Sequence, residues 1–382
     1  MNEKVKKVIV IEDTDLNKSQ YYPSIESDDY YLASWGGLFA RRLKEKYSDF
    51  NIEVWKAEPE FDKLYSRIAD NVECRVFPYK NRLFCCLTQE MVKELRRLKK
   101  NYNLIIYRST LFDFKFIFII SILFPKAKIV ISHHGGVIPK SLSIKNIFKR
   151  ILLRVSLTRV HTATYIRQEI KEWICKYPLH PKVVFLPVGA DFTIFYPEDR
   201  YKCREELGLS QNKIYAVYVG KMFKLKGVDI ILEIYNKYKD KDFEILLVGA
   251  TENDELLPEV KASGCRYWPY IDWNLLRKIY SAANFYIHPA FNPNFGGLDV
   301  SLIECLACGT PVLSPNLKEY DFDTKDIGIC VDSLSEFEDR FKEMLNRYNE
   351  FTNCREIAQQ YLDGKGIIID KLYNIFMGIK YK

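Results

Sequence analysis

Short apolar runs alternate with amphipathic stretches along the chain. In the first half, runs at 8–11, 52–55, 104–107, 128–132, 160–162 and 183–186 predict strands. Helical periodicity predicts helices over 37–47, 90–101, an apolar 114–124 and a basic, amphipathic 144–157. The second half repeats the logic, with strands at 215–219, 244–248, 266–268 and 285–287 and helices at 228–238 and 273–282. Strands alternating with helices imply parallel sheets covered on both faces, so the expected class is α/β. A chain of 382 residues exceeds one ordinary core, so two domains are expected. The polar, proline-bounded stretch PVGADFTIFYPEDR, residues 187–200, marks their boundary. In such folds ligands bind outside the C-terminal ends of the strands.

Composition narrows the class. Hydrophobic residues make up 48% and charged residues 28%, as in a globular protein and unlike a disordered one. The net charge of +7 suits an anionic substrate or lipid surface and falls short of a nucleic-acid binder. Ten cysteines are scattered, which fits a reducing compartment. Cys305 and Cys308 have CxxC spacing, but no second pair and no nearby histidine supports zinc, so they read as structural. The charged N-terminus runs straight into a strand and is not read as a signal peptide. The apolar 114–124 segment falls short of the roughly 20 residues a bilayer requires and reads as a buried helix.

The stretch FNPNFGGLDVSLIECLACGTPVLS, residues 291–314, reads as loop, helix, turn and strand. On that helix Leu302, Ile303 and Leu306 share one face; Ser301, Glu304, Cys305 and Cys308 share another that holds no further charge. Gly296 and Gly297 let backbone approach a ligand, and Asp299 stands at the N-cap position. Glu304, one turn in, suits the vicinal hydroxyls of a ribose; a buried glutamate paired with lysine or backbone fits as well. In VYVGKMFKLKGVD, residues 217–229, Lys221 and Lys226 at a strand end suit a diphosphate, although two surface lysines would look the same. His133–His134 closes a strand in SHHGG, and Gly36–Gly37 opens a helix in SWGGLFARRL; each also reads as ordinary structure.

In combination these pieces resemble the retaining glycosyltransferase family four, of the GT-B fold. The resemblance runs from Tyr215 to Ser314 through KGVD, EILLVGA, LLRKIYSAANFYIHPA and GLDVSLIECLACGTPVLS, with looser matches at Gly36–Gly37, His134–Gly135 and PVGADFTIFYP. It implies two Rossmann-like domains facing across a cleft: an acceptor domain over 1–190, a donor domain over 191–365, and a helix over 366–382 returning to the first. It implies that Lys221 and Lys226 bind the donor diphosphate and that Glu304 holds the ribose. Gly296, Gly297 and Leu298 would approach phosphate and sugar, His134 would face the donor sugar, and Gly36 and Gly37 would close over the phosphates. His134, Lys226 and Glu304 are the implied catalytic set. The sequence departs at Gly296, where the family carries the first glutamate of a pair, and at Lys221, usually arginine.

The implied function is transfer of a sugar, with retention, from a nucleotide-sugar donor to a glycan or lipid-linked acceptor in cell-surface polysaccharide or glycoconjugate synthesis. No metal or other cofactor and no nucleic acid is expected. The alternatives are a non-catalytic sugar-nucleotide-binding scaffold and a GT-B-type sugar-nucleotide epimerase. Lys145, Lys149, Arg150 and Arg154 give the 144–157 helix a basic face that suits an anionic membrane, although packing on its own sheet is the simpler reading. The expected location is cytoplasmic, with possible contact at the inner membrane face.

Overall fold

The computed structural model describes residues 4–12, 27–32, 34–84, 86–109, 113–134, 144–176, 178–239, 242–291 and 299–381. The chain divides into two compact units, Met1–Leu186 with Ile369–Lys382, and Pro187–Ile368.

In the first unit β1 (Lys6–Ile11) precedes helices α1 (Asp28–Leu32) and α2 (Trp35–Lys46). Then come β2 (Ile52–Glu58), β3 (Tyr65–Ala69), β4 (Val72–Pro78), the small antiparallel pair β5 (Arg82–Phe84) and β6 (Leu87–Thr88), and α3 (Gln89–Leu98). The rest alternates: β7 (Asn103–Arg108), α4 (Phe114–Leu123), β8 (Lys128–Ser132), α5 (Ile144–Leu157), β9 (Val160–Tyr165), α6 (Gln168–Cys175) and β10 (Lys182–Phe185). The main sheet runs β10-β9-β8-β7-β1-β2-β4-β3. It is parallel except for β3, which returns antiparallel on β4. This hairpin departs from the all-parallel expectation. Its turn, Asp70–Asn71, has φ of 44° and 63°, the left-handed pair of a tight two-residue loop.

Short polar side chains start several helices of this unit. Ser34 accepts from Gly37 N at 3.0 Å, Thr88 from Met91 N at 3.2 Å and Asp113 from Phe116 N at 3.2 Å. Helix α5 packs one face, burying Leu153 and Leu157, while the Ser156 hydroxyl donates to the Phe114 carbonyl at 3.1 Å. Its opposite row, Ile147, Ile151 and Val155 at intervals of four, stays 44%, 54% and 46% exposed. No helix among the described residues is long and apolar enough to cross a membrane.

The second unit is built from α7 (Arg200–Glu206), β11 (Ile214–Val219), α8 (Val228–Tyr238), β12 (Phe243–Ala250), α9 (Leu257–Ser263), β13 (Arg266–Pro269) and α10 (Trp273–Ala282). It continues through β14 (Phe285–Ile287), α11 (Val300–Ala307), β15 (Val312–Ser314), β16 (Gly328–Cys330), α12 (Phe337–Arg347) and α13 (Cys354–Leu362). The sheet order is β13-β12-β11-β14-β15-β16, parallel throughout, with Val217, Leu246, Ile287 and Leu313 fully buried. The last helix, α14 (Ile367–Met377), falls mostly in the first unit, where Tyr373 stacks on Tyr47 at 3.9 Å.

Candidate active site

The strand order of the second sheet reverses between β11 and β14, and such a switch point opens a crevice at the C-terminal strand ends. The sequence-predicted lysines follow β11. Lys226 ends a 3-10 turn, Lys224–Lys226, and Gly227 then starts α8 with φ of +78°. A Cβ at Gly227 would collide with the Pro289 carbonyl, so this glycine lets the turn dock on the residue after His288. Asp254, buried after β12, steadies the same loop: its carboxylate accepts from Met222 N at 2.8 Å and from the Thr251 hydroxyl at 2.6 Å. The Lys221 ammonium lies 5.8 Å from the centre of the Phe223 ring.

Asp299 stands at the N-cap of α11, but its side chain caps nothing. The carboxylate instead accepts from Lys226 Nζ at 3.0 and 2.9 Å, and His288 Nε2 lies 2.6 Å from Oδ2. His288 Nδ1 faces the amide nitrogen of Asn316 at 3.2 Å. That amide donates, so Nδ1 accepts and the ring proton sits on Nε2, in close contact with the Asp299 carboxylate but not aligned on it as a hydrogen bond. Burial pushes the Asp299 carboxyl up, but His288 and Lys226 outweigh it and hold it down to about 2. The amides at the start of α11 are left without a side-chain cap, an arrangement that suits an anion.

Glu304 lies one turn further along α11, half-buried. Burial pushes its carboxyl up to about 7, against a bond from the Tyr280 hydroxyl to Oε2 at 3.1 Å. The rest of that helix face also meets tyrosine and backbone. The Ser301 and Tyr286 hydroxyls lie 2.9 Å apart, both within reach of the Val219 carbonyl, and Cys305 Sγ meets the Thr310 carbonyl at 3.8 Å. Cys305 and Cys308 are buried free thiols. A polar face without lysine or arginine is thus a packed one, and Glu304 is its one titratable carboxylate.

The YSAAN segment builds the support behind it. Besides Tyr280, Ser281 accepts from Glu198 N at 3.1 Å, and Asn284 Oδ1 accepts from Arg204 at 2.7 Å and from Tyr215 N at 2.8 Å.

Gly296, Gly297 and Leu298 lie outside the described residues. In the first unit His134 and the glycine pair come together. The His134 ring sits 6.0 Å from Trp35 and 5.6 Å from Phe39, on the helix that Gly36 and Gly37 open. Burial, with His133 beside it, pushes His134 down to about 3, so the ring is neutral. A Cβ at Gly36 would strike Glu12 Oε1, and one at Gly37 would lie 2.7 Å from the Leu32 backbone. Close packing within the unit therefore accounts for both glycines. His288, Asn316, Asp254 and Tyr280 escaped sequence reasoning as site residues. Only the strand-end position of His288, in YIHPA, carried a signal.

The two parallel units belong to a fold class that solved structures share. Sucrose-phosphate synthase from Thermosynechococcus elongatus superposes with a TM-score of 0.67 at 16% identity, over 98% of this chain and 100% of that one. Anabaena HepE in complex with UDP gives 0.68 at 15% identity, over the same shares. The fold is GT-B. Within it, residues 213–347 match the glycosyl transferases group 1 family. A D-inositol 3-phosphate glycosyltransferase of Segniliparus rotundus is 31% identical over 165 residues, 40% of this chain and 36% of that protein. Its counterpart from Geodermatophilus obscurus is 28% identical over 163 residues, 38% of this chain and 36% of that protein. The chain spans about a third of the length of these curated relatives. The resemblance read from the sequence therefore stands, carried by the second unit.

Proposed function

We propose that this protein is a glycosyltransferase that moves a sugar from a nucleotide-sugar donor to a glycan or lipid-linked acceptor with retention of configuration. The observation that carries the reading is the paired arrangement at the β11/β14 switch point. Lys226 and the uncapped start of α11 lie at one end, and Glu304, a turn along the same helix, lies at the other. Cations and helix amides suit the departing diphosphate, and a carboxylate one turn away suits the ribose. The family match over 213–347 and the fold shared with a UDP complex support the same assignment. Lys226, Lys221 and the α11 amides would stabilise the leaving group without a metal ion. Retention follows front-face attack, with the departing phosphate taking the acceptor proton. His134, neutral and set against Trp35 and Phe39, would meet the donor sugar, and Gly36 and Gly37 would lie near the phosphates.

A cytoplasmic enzyme acting at the inner membrane face, in surface polysaccharide or glycoconjugate synthesis, fits helix α5. Its sequence, IKNIFKRILLRVSL, has four basic residues and no acid, and it exposes Ile147, Ile151 and Val155 beside Arg154. The side chains of Lys145 and Lys149 lie outside the described ones.

A panel of sugar nucleotides tests the reading. Transfer or slow hydrolysis of one donor supports it. Interconversion of two donors would make the protein an epimerase. Binding without turnover would make it a scaffold, a reading favoured by Gly296 standing where the family carries glutamate.

A further inference from the structure

We infer that Asp299 is a positioning residue for the leaving group, orienting the Lys226 ammonium from one side while His288 fixes it from the other. The inference rests on the donor-site reading above. An aspartate at a helix N-cap ordinarily accepts from the first-turn amides, yet this one accepts from none of them. Its two oxygens are spent on Lys226, at 3.0 and 2.9 Å, and on His288, 2.6 Å from Oδ2. The backbones on either side are fixed as well. Gly227 docks the Lys226 turn against Pro289, and Asn316 sets the tautomer of His288. The chain Asn316, His288, Asp299, Lys226 therefore runs from the end of β15, across the end of β14, to the loop after β11. An ammonium has three N–H groups, so one held by a carboxylate keeps a donor for phosphate in a fixed direction. Because the carboxylate cancels the lysine charge, Asp299 contributes direction rather than net attraction.

Substitution by asparagine separates direction from attraction. An amide accepts through one atom only, so its NH2 group must face either the Lys226 ammonium or the His288 N–H. Lys226 loses its orientation while the site gains a unit of positive charge. The measurements are calorimetric binding of UDP, ADP and GDP, and hydrolysis of the sugar nucleotide matching whichever diphosphate binds. Asp299→Asn is expected to keep diphosphate affinity within about threefold while hydrolysis at saturating donor falls by about tenfold or more. Asp299→Glu, which keeps two accepting oxygens, restores part of the rate. His288→Gln slows the otherwise unaltered protein but adds little in the Asp299→Asn background, because the two act through one contact.

Unchanged hydrolysis in Asp299→Asn would overturn the inference alone. So would affinity and rate falling together by one factor, which would leave Asp299 a structural pin. If the unaltered protein binds none of the three diphosphates, the donor-site reading and the inference fail together.

Discussion

The Tyr280 hydroxyl donates to Glu304 Oε2 at 3.1 Å, and burial nevertheless pushes that carboxyl up to about 7. A group titrating there changes charge under ordinary assay conditions. Ribose hydroxyls are donors, so the ionised form is the better partner. Nucleotide affinity is expected to fall about tenfold between pH 8 and pH 6 if only the ionised form binds. Stability runs the other way. The folded carboxyl holds its proton more tightly than the unfolded one, so this contribution is complete below the unfolded value of 4.5 and is lost as pH rises through about 7. Calorimetric titrations across this range check both signs, and Tyr280→Phe, which removes a bond favouring the ionised form, should move the binding midpoint upward.

Glu304→Gln removes the titration altogether. Its nucleotide affinity is expected to be flat across the same range. At high pH it should be weaker than the unaltered protein by about 1.5–3 kcal/mol, the usual worth of a charge-assisted hydrogen bond. Unchanged affinity with an intact circular dichroism spectrum would show that the ribose lies elsewhere.

The lysines are not equivalent. Lys226 is fixed by Asp299 beside the uncapped start of α11, whereas Lys221 is placed over the Phe223 ring. Lys226→Ala is expected to lower turnover about 100-fold, as when a contact to developing negative charge is removed. Lys221→Ala should cost less, and Lys221→Arg should be tolerated because charge is kept. Steady-state turnover beside affinity for the bare diphosphate makes the comparison.

Backbone conformation gives an independent check on the loop. Gly227→Ala must take φ of +78° and push a methyl group into the Pro289 carbonyl. Strain of this kind costs about 1–3 kcal/mol. Thermal unfolding should show a lower Tm, and nucleotide affinity should fall with it. A Tm equal to that of the unaltered protein would mean that the turn relaxes freely.

What the sequence disclosed follows the range of the interactions involved. Local periodicity sufficed for α5, α8, α10 and β14, whose bounds match the predicted ones residue for residue. The hairpin of β3 and β4 went unread, although Asp70–Asn71 between alternating residues was a turn signal. Lys226 and Glu304 stand out in the sequence because glycine and helix-start patterns flank them. The partners that orient them do not. Asp299 looked like an ordinary cap, and His288, Asn316 and Tyr280 reach the site only through the parallel packing of β14, β15 and α10. Gly36 carries a packing demand that its motif did not disclose: a Cβ there would strike Glu12 Oε1.

Helix α5 settles into its unit through Leu153 and Leu157 and leaves Ile147, Ile151 and Val155 in a row toward solvent. Burying such a row is favourable, and the four basic residues of the helix favour an anionic surface. The protein is expected to sediment with vesicles containing phosphatidylglycerol at low salt and to remain in solution with neutral vesicles. Each basic side chain near such a surface contributes about 1 kcal/mol, so Arg150→Glu with Arg154→Glu should abolish sedimentation. Ile151→Ser tests the apolar part separately, since it leaves every charge in place. It should weaken binding at both low and high salt, whereas the arginine changes should matter mainly at low salt. If the unaltered protein never sediments at low salt, the helix serves packing alone, and concentration-dependent association in light scattering would point instead to a second copy of this chain on this row.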